Sequence, residues 1–213
     1  MDRTQDRNNT QASLIKAGLH LFGHKGYEGT STRELAAHAK TNIASINYHF
    51  GGKAGLRTAC TMAVTGRLSD VLDNAGILEA PETAEDAANQ IERLVRAFVE
   101  LIVGKPEAQD MVAFMLREIV GPGEIAETVY ENFVEPRHKA LCALWAAATG
   151  RDPNSDEVKL TVFAVIGQIV YFRIASAFVV RRMDWDAIGS TETQKVATAV
   201  IANLRDTIER QRL

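Results

Sequence analysis

The sequence predicts an all-α protein of about nine helices, and three observations carry that prediction. Apolar residues recur at spacings of three and four, and no stretch alternates at period two. Long segments are rich in Ala, Leu, Val and Glu, and only five prolines occur in 213 residues. Glycine and proline clusters then cut the apolar pattern into separate pieces. A content of 46% hydrophobic and 24% charged residues belongs to a soluble globular chain and excludes a disordered or fibrous one.

Residues 12–22 put Leu14, Ile15, Gly18, Leu19, Leu21 and Phe22 on one helical face. Lys25-Gly26-Tyr27 closes this helix, with Gly26 suited to the left-handed conformation. Ser31 and Glu34 have the spacing of a capping box, so a second helix starts near Thr32 and carries Leu35, Ala36 and Ala39 inward. Lys40-Thr41-Asn42 interrupts that period, and Asn42 is a good N-cap for a third helix over residues 43–49. Ile43, Ile46 and Phe50 are its buried positions, and Gly51-Gly52 ends it. Two short helices joined by a three- or four-residue turn and braced by a longer one form a helix-turn-helix. The third helix turns Ala44, Ser45, Asn47 and Tyr48 outward, groups short or flat enough to approach base edges and phosphates.

Charge follows the same division. Residues 1–58 hold eight Lys or Arg against four acids, a net of +4, while the remaining 16 basic and 23 acidic residues leave −7. A basic head on an acidic body is the asymmetry expected where one end meets phosphates.

From Lys53 a fourth, long helix runs to about Asn74, with Leu56, Cys60, Val64, Leu68, Val71 and Leu72 inward. Thr83 to Asp86 opens the next, which extends through Val103. Gly104-Lys105-Pro106 separates it from residues 108–120, and Gly121-Pro122-Gly123 is a firm break. Residues 124–149 hold Pro136 as a kink or a first-turn position. Residues 156–183 and 191–212 complete the count. The stretch 161–180 has the length of a membrane span, but Arg173, Gln168 and Ser176 within it argue for a buried helix, so no membrane partner is expected. Val196, Val200, Ile201, Leu204 and Ile208 form a stripe on the last helix, and the last two helices are expected to pair with their symmetry mates in a homodimer.

Phe98, Ile102, Met111, Phe114, Met115, Tyr130, Phe133 and Phe172, together with Trp145 and Phe163, are candidates to line an effector cavity in the body. Gln168 and Arg173 are the polar intruders. As ligand contacts they favour an anionic or carbonyl-bearing aromatic compound; alternatively, Arg173 pairs with an acid such as Glu100, Glu118 or Glu131. His20 and His24 have metal-ligand spacing, yet no neighbouring acid or cysteine completes a set, so neither metal nor cofactor is expected. Cys60 and Cys142 read as free, buried thiols of a cytoplasmic protein. No phosphate loop, Cys-x-x-Cys or serine elbow is present, and no enzymatic role is expected.

The run Leu21-Phe22-Gly23-His24-Lys25-Gly26-Tyr27-Glu28-Gly29-Thr30-Ser31, then Glu34-Leu35-Ala36, then Asn47 through Leu56 resembles the DNA-binding region of the TetR family. The resemblance implies a recognition helix from Asn42 to His49 and phosphate contacts at Tyr48, His49 and Lys53. The DNA-contacting set is thus expected to be Thr30, Thr32, Asn42, Ala44, Ser45, Asn47, Tyr48, His49 and Lys53. Lys40 stands where the family usually has glycine, Thr41 where it has a small aliphatic residue, and Asn47 replaces a frequent tyrosine. Glu135-Pro136, residues 146–151, Ile166-Gly167-Gln168, residues 171–175 and Val180-Arg181-Arg182 are similar to the CecR-like subgroup, which implies an efflux or stress regulon. On this resemblance residues 1–52 form a DNA-binding domain and residues 53–213 an effector-binding and dimerisation domain. The implied partners are double-stranded DNA with a palindromic operator and a small apolar or aromatic effector. The implied role is a repressor released by that effector; the alternative is a helical small-molecule-binding protein that has lost specific DNA binding.

Overall fold

Helix α1 spans Arg3–Lys25 in the computed structural model, which describes residues 3–120 and 123–212. It is followed by α2 (Thr32–His38), α3 (Ile43–Phe50), α4 (Lys53–Asn74), α5 (Ala84–Ile102), α6 (Ala108–Val120) and α7 (Glu124–Val129). A π-helical turn (Tyr130–Val134) leads into α8 (Glu135–Thr149), and α9 (Asp156–Ile174), α10 (Ser176–Met183) and α11 (Ser190–Gln211) complete the chain. No strand occurs among the described residues. The nine expected helices are all present, two of them divided, and the break expected at Gly121-Pro122 lies outside the described residues.

Each division has a local cause. Pro136 has no N–H to continue the α-ladder, and the helix widens just before it. Residues 156–183 bend by 76° at Ala175, so α9 and α10 are separate helices. Among the described residues no single helix is long and apolar enough to cross a membrane. The early start of α1, nine residues ahead of the apolar period, was invisible to periodicity because residues 3–11 are almost all polar.

The chain divides into two compact units. The first comprises Met1–Arg67 and Asp110–Val129, the second Leu68–Gln109 and Tyr130–Leu213. The expected boundary after residue 52 thus falls inside the first unit, which also takes in most of α6 and all of α7. In that unit Leu14, Phe22, Leu35, Ile46, Leu56 and Phe114 are fully buried. Arg117 fastens α6 to α1 by donating to the carbonyls of Gly23 (2.6 Å) and His24 (3.0 Å) at the end of α1. Gly23 makes the approach possible, since a Cβ there would stand 3.0 Å from the backbone nitrogen of Phe114. The Glu118 carboxylate, whose side chain is only 4% exposed, receives a two-pronged hydrogen bond from Arg57 of α4 at 2.7 to 3.0 Å.

The second unit is a bundle in which α5 packs against α8, α9 and α11. Strong two-sidedness in α5 explains its central place: Ala87, Ile91, Leu94, Val95, Val99 and Ile102 are buried while the opposite face is charged. On α11, Val196, Val200, Leu204 and Ile208 are buried within the chain itself. That stripe is therefore not available to a partner, contrary to the sequence expectation. Large apolar residues stay exposed on α9 and α10 instead, among them Tyr171, Ile174, Phe178 and Met183.

The turn between α2 and α3 closes despite Lys40. Thr41 N–H donates to the Ala36 carbonyl at 2.9 Å, and Lys40 takes the left-handed conformation at φ 54° that glycine occupies in most such turns. A Cβ in that conformation costs about 1–2 kcal/mol, and the extra chain entropy of glycine returns roughly half of it. Lys40→Gly is accordingly expected to stabilise the protein by about 0.5–1 kcal/mol, a rise of roughly 2 °C in Tm, measured by thermal unfolding.

Candidate nucleic-acid interface and ligand cavity

Two caps fix α2 and α3. Ser31 and Glu34 make the capping box of α2, with Ser31 N–H to Glu34 Oε2 at 2.9 Å and Glu34 N–H to Ser31 Oγ at 3.2 Å. The Glu34 carboxyl is lowered to about 2, first by the Lys25 ammonium 2.6 Å away and then by Ser31. At the start of α3, Asn42 Oδ1 accepts from Ser45 N–H (2.8 Å) and Ser45 Oγ (3.0 Å), and Ser45 Oγ accepts from Thr41 Oγ1. Asn42 and Ser45 thus spend these groups on holding the helix.

With Ile46 buried beneath, α3 leaves Ala44, Asn47 and Tyr48 fully on the surface, and His49 half-buried against the Tyr48 ring. The Nδ1 atom of His49 is buried with no hydrogen-bond partner. Lys53, in the first turn of α4, sits with its Nζ 4.0 Å from the centre of the Tyr27 ring, and Arg57 lies 4.7 Å from the same ring. Such cation–π contacts hold a cation in place while leaving its charge outward. Thr32 opens α2 half-exposed. Thr30 corrects the sequence expectation: its side chain is buried and its hydroxyl donates to the Gly26 carbonyl at 2.8 Å, so it braces the loop after α1 and does not reach a ligand.

One residue of this surface escaped the sequence reading. Arg7 places its guanidinium 5.8 Å from the centre of the exposed Tyr48 ring. The only signal for it was a basic residue within the polar start of α1. The surface as a whole is a ridge of short polar and aromatic groups flanked by Arg7 and Lys53, chemistry suited to base edges between two phosphate contacts.

The second unit holds a cavity of about 200 Å³. Its walls are apolar, with Leu94, Phe98, Phe133, Trp145, Phe163 and Ile166 among them, and Arg137 and His138 are the polar exceptions. Arg137 grips the Asp73 carboxylate with two hydrogen bonds of 2.5 and 3.0 Å, and Asp73 lies in the last turn of α4. His138 stacks on Phe163 at 4.0 Å and reaches the Lys159 carbonyl through Nε2 at 3.2 Å.

Of the ten expected effector residues, Phe98 and Phe133 are on this wall. Met111, Phe114 and Met115 belong to the first unit, where Met111 and Phe114 are core, the Phe114 ring lying 6.4 Å from that of Phe22, and Met115 is half-buried. Ile102 is buried beyond the cavity at the end of α5, Tyr130 and Gln168 are exposed, and Phe172 lines a shallow surface groove with Phe178 and Trp185. Arg173 turns to the backbone, with the charge of Glu107 nearby. It donates to the carbonyls of Ile102, Val103 and Lys105, closing the C-terminal end of α5. Burial pulls its guanidinium below the usual arginine value.

A basic-flanked helix-turn-helix carried on a helical body with an apolar cavity defines a class, the one-component transcription regulators. Residues 14–60 match the family of bacterial regulatory proteins of the TetR type, and residues 87–209 match the C-terminal domain of the HTH-type transcriptional dual regulator CecR. The chain is 32% identical to that regulator from Shigella flexneri over 197 residues, covering 90% of this chain and 87% of the relative. It belongs to the TetR family of DNA-binding transcription regulators, with a C-terminal domain of the CecR type. A TetR-like regulator from Rhodococcus sp. RHA1 shares the fold with a TM-score of 0.70 at 15% identity, over 94% of this chain and 96% of that one. A family member from Streptomyces coelicolor does so with a TM-score of 0.64 at 24% identity, over 90% and 88%.

Removing the Arg173 head group takes the side-chain donor from the Ile102 and Val103 carbonyls at the end of α5, while the Lys105 carbonyl keeps the Ala108 N–H. Arg173→Ala is expected to lower stability by about 1–3 kcal/mol in urea unfolding. Arg173→Lys is expected to recover only part, because a single ammonium cannot span all three acceptors.

Proposed function

We propose that the chain is a dimeric repressor. Its two α3 helices enter successive major grooves of a palindromic operator, and a small effector in the body cavity releases it. The observation that carries this reading is the exposed ridge Ala44–Asn47–Tyr48 flanked by the fixed cations Lys53 and Arg7. Base edges meet the short groups, and phosphates meet Lys53 and the free N–H groups at the start of α4. In such dimers the two reading helices stand about 34–36 Å apart. The exposed apolar residues of α9 and α10 supply the pairing surface. The closed turn at Lys40 supports DNA reading over the alternative of a protein that has lost it, since the departure from glycine leaves the hydrogen bonds of the turn intact.

The effector acts through Arg137. A cavity of about 200 Å³ with almost wholly apolar walls takes one substituted aromatic ring, and Arg137, a permanent cation, borders it. A ligand carboxylate carried to that border competes with Asp73 for the guanidinium. The Asp73 side chain is 42% exposed, so solvent screens the pair and a ligand carboxylate can exchange for it. Its release frees the last turn of α4, the helix that starts at Lys53. Effector and operator then weaken each other by the same factor.

A DNA shift assay against operators selected from a random pool, at two salt concentrations, tests the first part. Wild type should bind selectively and lose affinity steeply with salt, whereas the Tyr48→Ala, Lys53→Ala double variant should lose selective binding and flatten the salt dependence. Retention of selective binding by that variant would sink the reading. For the second part, Trp145 in the cavity wall reports occupancy by fluorescence. Benzoate should bind more tightly than benzyl alcohol, Asp73→Asn should widen that preference, and Arg137→Leu should abolish it.

A further inference from the structure

Away from the reading surface and the cavity, the first unit gathers three ligand-type side chains from two helices. His20 and His24 lie one turn apart near the end of α1, and Asp110 is in the first turn of α6. His20 Nδ1 is 3.2 Å from each Asp110 oxygen, and His24 Nε2 is 3.0 Å from Asp110 Oδ1. One donor atom from each residue lies within 4.8 Å of the others. Sequence spacing showed only the two histidines, because the third group is 86 residues further on.

We propose that His20, His24 and Asp110 form a binding site for a divalent transition-metal ion of the zinc or cobalt kind, which pins α6 to α1. A tetrahedral ion with bonds of about 2.0–2.1 Å holds its ligand atoms roughly 3.3 Å apart, and both histidine–carboxylate spacings are already within a few tenths of that. Two imidazole nitrogens with one carboxylate oxygen select zinc, cobalt or nickel over magnesium and calcium, which prefer all-oxygen sets. The ligands are held in advance by contacts that need no ion. Arg117 fastens α6 to the carbonyls of Gly23 and His24. The His38 ring stacks on His20 at 4.9 Å and fixes its plane. Side-chain exposures of 41%, 44% and 28% leave an entry route and room for a water as fourth ligand. The competing arrangement is a hydrogen-bonded cluster in which both histidines donate to one carboxylate, and metal titration separates the two.

Co²⁺ titrated into the full chain, without an affinity tag, is expected to give a visible absorption band saturating at one ion per chain and a higher Tm. EDTA should reverse both, Zn²⁺ should displace the cobalt, and Mg²⁺ should not. Asp110→Asn and His24→Gln should keep the helical circular dichroism and weaken binding about tenfold or more. No band at millimolar Co²⁺, or a band unchanged in both variants, would overturn the site in favour of the hydrogen-bonded cluster. Should Asp110→Asn unfold, the exposed His24→Gln decides alone.

Discussion

Glu118 is a carboxylate placed where water hardly reaches, and the head unit is arranged around the consequence. A buried charge left unpaired costs several kcal/mol, so Arg57 must meet it, and with it the first turns of α4 must lie against α6. Arg57 in turn lies over Tyr27, the same ring that seats Lys53. One desolvated acid thereby sets where a surface cation sits, through an arginine and an aromatic ring that serve both. The charge of Glu118 also raises the Cys60 thiol, adding to a larger effect of burial that takes it to about 12, so this cysteine stays a protonated packing group.

The reading surface works by the same economy of partners. Thr30, Asn42 and Ser45 look like contact residues by type, yet their hydroxyl or carbonyl groups are engaged within the fold. Ala44, Asn47 and Tyr48 stay exposed on the surface of α3, with Lys53 and Arg7 at its margins. Capping and exposure are thus divided among adjacent residues of one short helix, and the capping residues give the exposed ones a fixed direction.

The head was largely legible in the sequence because its signals are local. A capping box, an N-cap and a glycine pair each act within four residues, and all of them formed. The polar start of α1 carried no period, and Arg7 was missed with it. In the body the informative contacts join residues far apart. Arg137 meets Asp73 across 64 positions, and periodicity shows which residues are buried but not against what. The α11 stripe was correctly read as buried and wrongly assigned to a partner, since burial within and between chains leaves the same pattern. Arg173 was expected to find an acid or a ligand because those are visible as side chains, and backbone carbonyls, the acceptors it uses, leave no mark in a sequence.

The π-helical turn at Tyr130–Val134 stands where the chain leaves the first compact unit, between Val129 and Tyr130. A wide turn of this kind is an α-helix holding one residue more than its pitch accommodates, and every side chain beyond it is rotated by about 100° from its place in an unbroken helix. The buried face of α7, with Val129, and that of α8, with Cys142, Trp145 and Thr149, therefore need not share a common phase. One continuous run of chain thereby passes from one unit to the other without keeping a single helical phase. Deleting one residue there would turn the buried face of α8 by about 100° about the helix axis relative to α7.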